Sequence, residues 1–265
     1  MSSPTFKDHF SGHAADYRTS RPLYPGALYA WLAHQAPARA LAWDAGCGNG
    51  QASVALAAHF AQVVGTDASA AQIANAAARE NVRYRVEPAE TTAFADASVD
   101  LITVAQALHW FDLPRFGAEA LRVAKPGAVL AAWTYALCAI TPAVDAVVMQ
   151  LYQDVVGPYW PPERRHTENG YAELALPFVP LPAPAFAMTA TWTLPQFLAY
   201  LQTWSATQRY RAAEGRDPIA SIEPALTRAW QAPDQPPEQP RLIRWPLTLR
   251  AGRLHGADGW RPGGP

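Results

Sequence analysis

The run Ala40-Leu41-Ala42-Trp43-Asp44-Ala45-Gly46-Cys47-Gly48-Asn49-Gly50 limits what this chain can fold into more than any other. A short apolar segment ends in an acid, and glycines follow at alternate positions. Gln51 to Phe60 comes next, alanine-rich and helical in character. Strand, tight glycine turn and helix in this order form the opening unit of a nucleotide-binding βαβ fold. Glycine admits positive φ and lets a ligand lie directly on the main chain. The turn therefore reads as a cofactor cradle.

The same alternation continues downstream. Gln62 to Thr66 is predicted as a second strand ending at Asp67. Ser69 to Gln72 forms a capping box that opens a helix reaching about Glu80. Val82 to Glu87 alternates as a third strand, followed by the loop Pro88-Ala89-Glu90. Val99 to Ala105 is near-continuously apolar, as a strand buried on both faces is, and leads into Gln106 to Asp112. A helix from Pro114 to about Ala124, a turn at Lys125-Pro126-Gly127 and a strand from Ala128 to Trp133 follow. Strands and helices in this rhythm predict an α/β fold with a doubly wound, mostly parallel sheet.

The flanks are less regular. Residues 1–40 are aromatic and read as a helical lid, with one helix from Pro25 to about Ala36. Residues 134–184 are broken by prolines and read as an insertion over the site, with a helix from Ala143 to Val156. A strand over Ala185–Trp192, one helix from Pro195 to about Arg211 and another over Pro224–Gln231 are expected next. An exposed linker at Pro233–Pro240 and a last strand at Arg241–Leu249 complete the reading. The chain is thus expected to be one domain over 1–250 with a flexible tail at 251–265.

Composition narrows the function classes. A chain of 265 residues can bury a large core, and with half its residues apolar and 16% charged it is neither disordered nor a coiled coil. Basic and acidic residues balance, 21 against 22, so no general field favours nucleic acid or an anionic membrane. No apolar run approaches spanning length and the first residues lack a signal core, so a soluble, cytoplasmic protein is expected. Cys47 and Cys138 make no disulfide framework, and His9 and His13, four apart, lack further ligands, so no metal is expected.

The glycine spacing separates two cofactor classes. A dinucleotide fingerprint requires glycines at 46, 48 and 51, but position 51 is Gln and the third glycine is Gly50. Asp44 ahead of the turn would repel a pyrophosphate and suits a ligand with an ammonium group. Asp67 stands at the end of the second strand, where one carboxylate can accept from both hydroxyls of a ribose; supporting the next helix start is the plainer alternative. S-adenosylmethionine has the required parts.

The segment Asp44-Ala-Gly-Cys-Gly-Asn-Gly50 resembles the first motif of the class I S-adenosylmethionine-dependent methyltransferases. Asp67, Pro88-Ala89-Glu90 and Lys125-Pro126-Gly127 match the same pattern. Tyr17 through Pro25, Gln106 through Asp112 and Thr203 through Tyr210 are similar to the small-molecule branch that includes trans-aconitate methyltransferase-like proteins. The resemblance implies a Rossmann-like sheet of seven strands, the last antiparallel. It implies that Asp44, Gly46, Gly48 and Gly50, with Cys47 in the turn, meet the methionine end. Asp67, with Ala68 beside it, would hold the ribose, Ala89 and Glu90 would flank the adenine, and Gln106 would lie under the methionine. Tyr17 and Arg21 would close on the carboxylate.

The implied activity is methyl transfer to a small-molecule acceptor, a carboxylate or a hydroxyl, leaving S-adenosylhomocysteine. A sulfonium is already activated, so alignment in a dry pocket supplies most of the rate. His109, with a reference pKa near neutrality, is the candidate base, or else it shapes the pocket together with Trp110. Tyr24, Trp133 and Tyr135 are candidate substrate walls, as are Trp160 and Trp204. Arg164 and Arg165 read as solvated surface charges, with contact to an anionic substrate as the alternative. Competing readings are a non-catalytic S-adenosylmethionine-binding protein, a protein or RNA methyltransferase, and a nicotinamide oxidoreductase. Oligomeric state cannot be read from the sequence.

Overall fold

The computed structural model of the chain describes residues 22–231 and 239–254. Helix α1 (Gly26–Gln35) buries Leu28, Tyr29, Leu32 and Ala33, a stripe with helical spacing. The strands are β1 (Leu41–Ala45), β2 (Gln62–Asp67), β3 (Val82–Val86), β4 (Val99–Ala105), β5 (Ala124–Thr134), β6 (Phe178–Pro180), β7 (Phe186–Trp192) and β8 (Arg241–Leu254). Their order is β3-β2-β1-β4-β5-β8-β6, with β7 also on β8. Strands β1 to β5 pair in parallel and β8 runs antiparallel to β5. The sheet is thus the expected mostly parallel one, with eight strands among the described residues rather than seven. The difference arises because β8 takes β7 along its first half and β6 along its second.

Successive side chains of a strand point to opposite faces, and the two cores follow that rule. Trp43, Ile102 and Leu130 pack on one face with Phe116 and Val123 of α4 (Leu113–Val123). Their neighbours Ala42, Leu101 and Val129 pack on the other, against α1 and Leu56 of α2 (Gln51–Leu56). A third apolar cluster joins α5 (Pro142–Gln150) to α7 (Leu194–Gln202), α8 (Ser205–Glu214) and α9 (Ile219–Trp230). It closes on Ile243 and Trp245 of β8.

Five local expectations change. The helix after Ser69 is only Ala70–Ala74 (α3), because the Ala77 N–H leaves the helix to donate to Asn49 O at 3.0 Å. The single helix expected over 195–211 breaks at Thr203-Trp204, where Thr203 Oγ1 donates to Tyr200 O at 2.7 Å and Trp204 turns extended to bury its indole. Pro224 lies inside α9 rather than at its start. There it gives up the helical bond to the Ala220 carbonyl. Residues 251–254, expected in the tail, belong to β8, and Lys125-Pro126-Gly127 lies in an irregular first stretch of β5 rather than in a free turn. The first lid helix and most of the expected linker lie outside the described residues, as does the tail beyond Leu254.

Candidate active site

The parallel strands end on one edge, and strand order reverses between β1 and β4, the crevice where open α/β sheets take ligands. At that edge β1 passes into the glycine turn. Gly50 precedes α2 at φ +84°, and a Cβ on it would strike the Tyr84 hydroxyl, which donates to Ala77 O at 2.9 Å. Gly48 differs: a Cβ there would meet nothing nearer than the Gln72 amide oxygen at 3.7 Å. Space therefore remains over the main chain on that side, as a cradle requires. Cys47 is buried, its N–H donating to Thr66 O at 2.9 Å, and burial pushes its thiol pKa up.

Asp44 is wholly enclosed. Ser53 Oγ donates to one carboxylate oxygen at 2.6 Å and Thr103 Oγ1 to the other at 3.0 Å. Burial outweighs both bonds and lifts its pKa to about 6, with a smaller push from the Asp67 charge. Such a carboxylate gains from a cationic neighbour, which matches an ammonium group. Asp67 accepts from Gly48 N and from Ser69 N, each at 2.9 Å. It therefore pins the glycine turn and also supports the start of α3, with Ala68 exposed beside it.

Ala89 is buried after β3, and Glu90 Oε1 accepts from Asp112 N at 2.8 Å, tying that loop to the one after β4. Gln106 follows β4 at φ +57°, a conformation that costs a residue with a Cβ about 1–3 kcal/mol. Its side chain over-determines it. Oε1 accepts from Thr134 Oγ1 at 2.7 Å and Tyr135 N at 3.0 Å, while Nε2 donates to Tyr135 O at 3.3 Å.

His109 and Trp110 lie in a short helical turn over Leu108–Trp110, their rings 4.6 Å apart. His109 Nδ1 is 3.0 Å from the Tyr171 hydroxyl. Burial first, then the nearby Arg164 and His166 side chains, lower its pKa to about 3. The expectation of an imidazole titrating near neutrality is therefore corrected: the ring is neutral and weakly basic. Arg164, on α6 (Arg164–Glu168), is not a free surface charge either. Its guanidinium lies 4.6 Å from the Trp160 ring centre and its Nε donates to the Tyr152 hydroxyl at 2.9 Å. Arg165 is exposed as expected.

Tyr24 meets Trp133 edge-on at 5.5 Å and Tyr135 at 6.5 Å. Trp133 is wholly buried in the core beneath Tyr24 rather than on an open wall, and its indole N–H has no hydrogen-bond partner among the described residues. Trp160 and Trp204 pack on Tyr152 in the third cluster. Tyr17 and Arg21 lie outside the described residues. Among the described residues no group of His, Cys, Asp or Glu could hold a metal ion, and no helix is long and apolar enough to cross a membrane.

Sequence reasoning missed Ser53, Thr103, Thr134 and Tyr171. A polar residue inside the apolar strand 99–105 was the available signal for Thr103, which stands opposite Asp44 in register. Nothing local marked Tyr171.

The crevice at the strand ends, with the glycine turn beside it and a buried carboxylate behind that turn, is the arrangement of a nucleotide-type α/β fold. A methyltransferase domain family matches residues 43–132. A provisionally named methyltransferase of Dictyostelium discoideum is 35% identical over 88% of this chain and 90% of its own length. A solved structure described as a provisional type II methyltransferase of Anaeromyxobacter dehalogenans is 50% identical, with a TM-score of 0.82 over 88% of this chain and 97% of that one. The trans-aconitate 2-methyltransferase of Deinococcus radiodurans is 35% identical over 48% of this chain and 45% of its own length. The chain belongs to the class I S-adenosylmethionine-dependent methyltransferases. It is an enzyme of that class, and S-adenosylmethionine is its cofactor.

Proposed function

We propose that the chain through Leu254, the end of β8, works as one unit that methylates a small-molecule acceptor, a carboxylate in preference to a hydroxyl, chiefly by positioning. The carrying observation is the suppressed basicity of His109, whose pKa of about 3 leaves it little power to take a proton. A carboxylate acceptor needs no base; a hydroxyl does. The trans-aconitate enzyme named above acts on a carboxylic acid, in line with this reading.

Asp44 and the backbone of Gly46, Cys47, Gly48 and Gly50 would hold the methionine end, with Gln106 beneath it and Tyr17 and Arg21 closing over it. Asp67 and Ala68 would meet the ribose, and Ala89 and Glu90 the adenine. When bound, S-adenosylmethionine supplies an activated methyl group, handed in line to the acceptor with S-adenosylhomocysteine left behind. Alignment of two reactants is worth roughly 7–11 kcal/mol of barrier, against about 3–5 kcal/mol for a base worth 10²–10⁴ in rate. Positioning can therefore carry the reaction without proton transfer. Tyr24, Trp110 and Tyr135 would border the acceptor, with Trp133 backing Tyr24.

The test is transfer of a labelled methyl group to panels of small carboxylates, alcohols and amines, with bulk RNA and protein as further arms. Label is expected in a carboxylate, with turnover flat from pH 6 to 9. Label in RNA or protein, or tight cofactor binding with no transfer to any arm, overturns the reading.

A further inference from the structure

Residues 170 and 171 both take the left-handed conformation, with φ of +64° and +62°. Tyr171 carries a Cβ and is wholly buried, so the turn persists only because its surroundings hold it. On one side a Cβ at Gly170 would meet Thr248 of β8 at 2.6 Å. On the other, Arg250 Nη1 donates to the carbonyls of Tyr171 and Leu174, and Tyr171 N donates to His166 O at 2.8 Å. β8 thereby clamps a strained turn whose product is one contact, the Tyr171 hydroxyl against His109 Nδ1 at 3.0 Å.

We infer that Tyr171 is a positioning residue that donates its hydroxyl hydrogen to His109 Nδ1, so that His109 presents Nε2–H as a hydrogen-bond donor to the acceptor. The direction of the bond follows from counting hydrogens. Of the groups around that hydroxyl, which include Thr134, Thr167 and the Leu108 backbone, His109 Nδ1 is the one that stands at hydrogen-bond distance, 3.0 Å. If the imidazole donated instead, the phenol hydrogen would be left buried and unspent, a larger loss than an idle oxygen lone pair. A neutral imidazole carries one N–H. With Nδ1 accepting, that hydrogen sits on Nε2, which makes no hydrogen bond among the described residues. Burial and the neighbouring Arg164 charge keep the ring neutral. A donor at this place steadies an acceptor oxygen and removes no proton from it.

The inference rests on the acceptor side lying beside the loop after β4, but its test does not require a known acceptor. Nitrogen-15-labelled histidine in the full chain, with the His109 signals assigned from their loss in His109→Gln, reads the tautomer directly. The expected spectrum has an unprotonated Nδ1 and a protonated Nε2, unchanged from pH 5 to 8. In Tyr171→Phe the ring is expected to lose that fixed tautomer, and once an acceptor is known, kcat falls tenfold or more with KM for S-adenosylmethionine unchanged. Incorporation of 3-fluorotyrosine, which strengthens the phenol as a donor, is expected to move the Nδ1 signal without disturbing the fold. A protonated Nδ1 in the parent protein overturns the inference, as does an imidazole titrating near 6.5 there. So does a tautomer indifferent to both tyrosine changes. None of these outcomes depends on methyl transfer, so a failure here is distinct from failure of the proposed function.

Discussion

Burial acts on Asp44 and His109 with opposite consequences for pH. Asp44 titrates near 6 in the fold, above a free aspartate. Its contribution is therefore fully present below the unfolded pKa and is lost as pH rises through about 6. His109 titrates near 3, so the fold resists its protonation and stability falls as pH drops below the free value of 6.5. The two oppose one another between pH 4 and 6, and a variant separates them. Asp44→Asn is expected to gain about 3 kcal/mol of unfolding free energy relative to the parent on going from pH 4 to pH 8, from roughly two pKa units. Urea denaturation across that range measures it, and a difference flat with pH would refute the raised carboxylate. The same variant is expected to bind S-adenosylmethionine more weakly at pH 8, because the amide offers an ammonium no charge.

At the scale of elements, the edge opposite the site is held by another buried acid. Asp100 Oδ2 accepts from Ala40 N and Leu41 N, each at 2.9 Å, and Oδ1 from Lys125 Nζ at 2.8 Å. It fastens the starts of β1, β4 and β5 together, about 17–20 Å along the strand from the glycine-turn edge. Asp100→Ala leaves Lys125 and two backbone donors without their partner. It is expected to lower unfolding free energy by about 3 kcal/mol, with the cofactor affinity of the folded fraction unchanged. Thermal denaturation and calorimetry check both halves, and a tenfold loss of affinity would show that the two edges are coupled. Local signals served well where a side-chain cap marks the start of an element, and less well for α9, whose start is not at Pro224. Ser69 does cap α3, its Oγ accepting from Gln72 N at 3.3 Å. They served badly for where elements end, because the end of α3 is set by Asn49 of the glycine turn and the break after α7 by the pocket that receives Trp204.

At the scale of the whole molecule, β8 runs through all three apolar clusters. Ile243 and Trp245 belong to the helical one, Ala251 to one face of the sheet and Leu254 to the other. Its second half also carries Arg250, which clamps the turn at Tyr171. A chain ending at Leu249 is therefore expected to lose cooperative unfolding altogether, since it strips one edge of β5 and opens both sheet cores. Circular dichroism and a thermal melt test this; a native-like transition would show that residues 250–254 add nothing.

The order of residues alone was enough to establish the strand, turn and helix over 40–56, the acid ending β2 and the alternation that makes a parallel sheet. These depend on neighbours in the chain, where glycine spacing and apolar period act directly. The methyl donor followed from the same short stretch. Folding decided the charge states and the working partners. Asp44 meets Thr103 across 59 positions, and His109 meets Tyr171 across 62. A pKa is set by whatever burial and charge the fold brings close, and no local pattern carries that. The glycine turn was legible because its chemistry is local, whereas the proposed acceptor side rests on contacts between distant segments, such as His109 with Tyr171 and Tyr171 with Arg250.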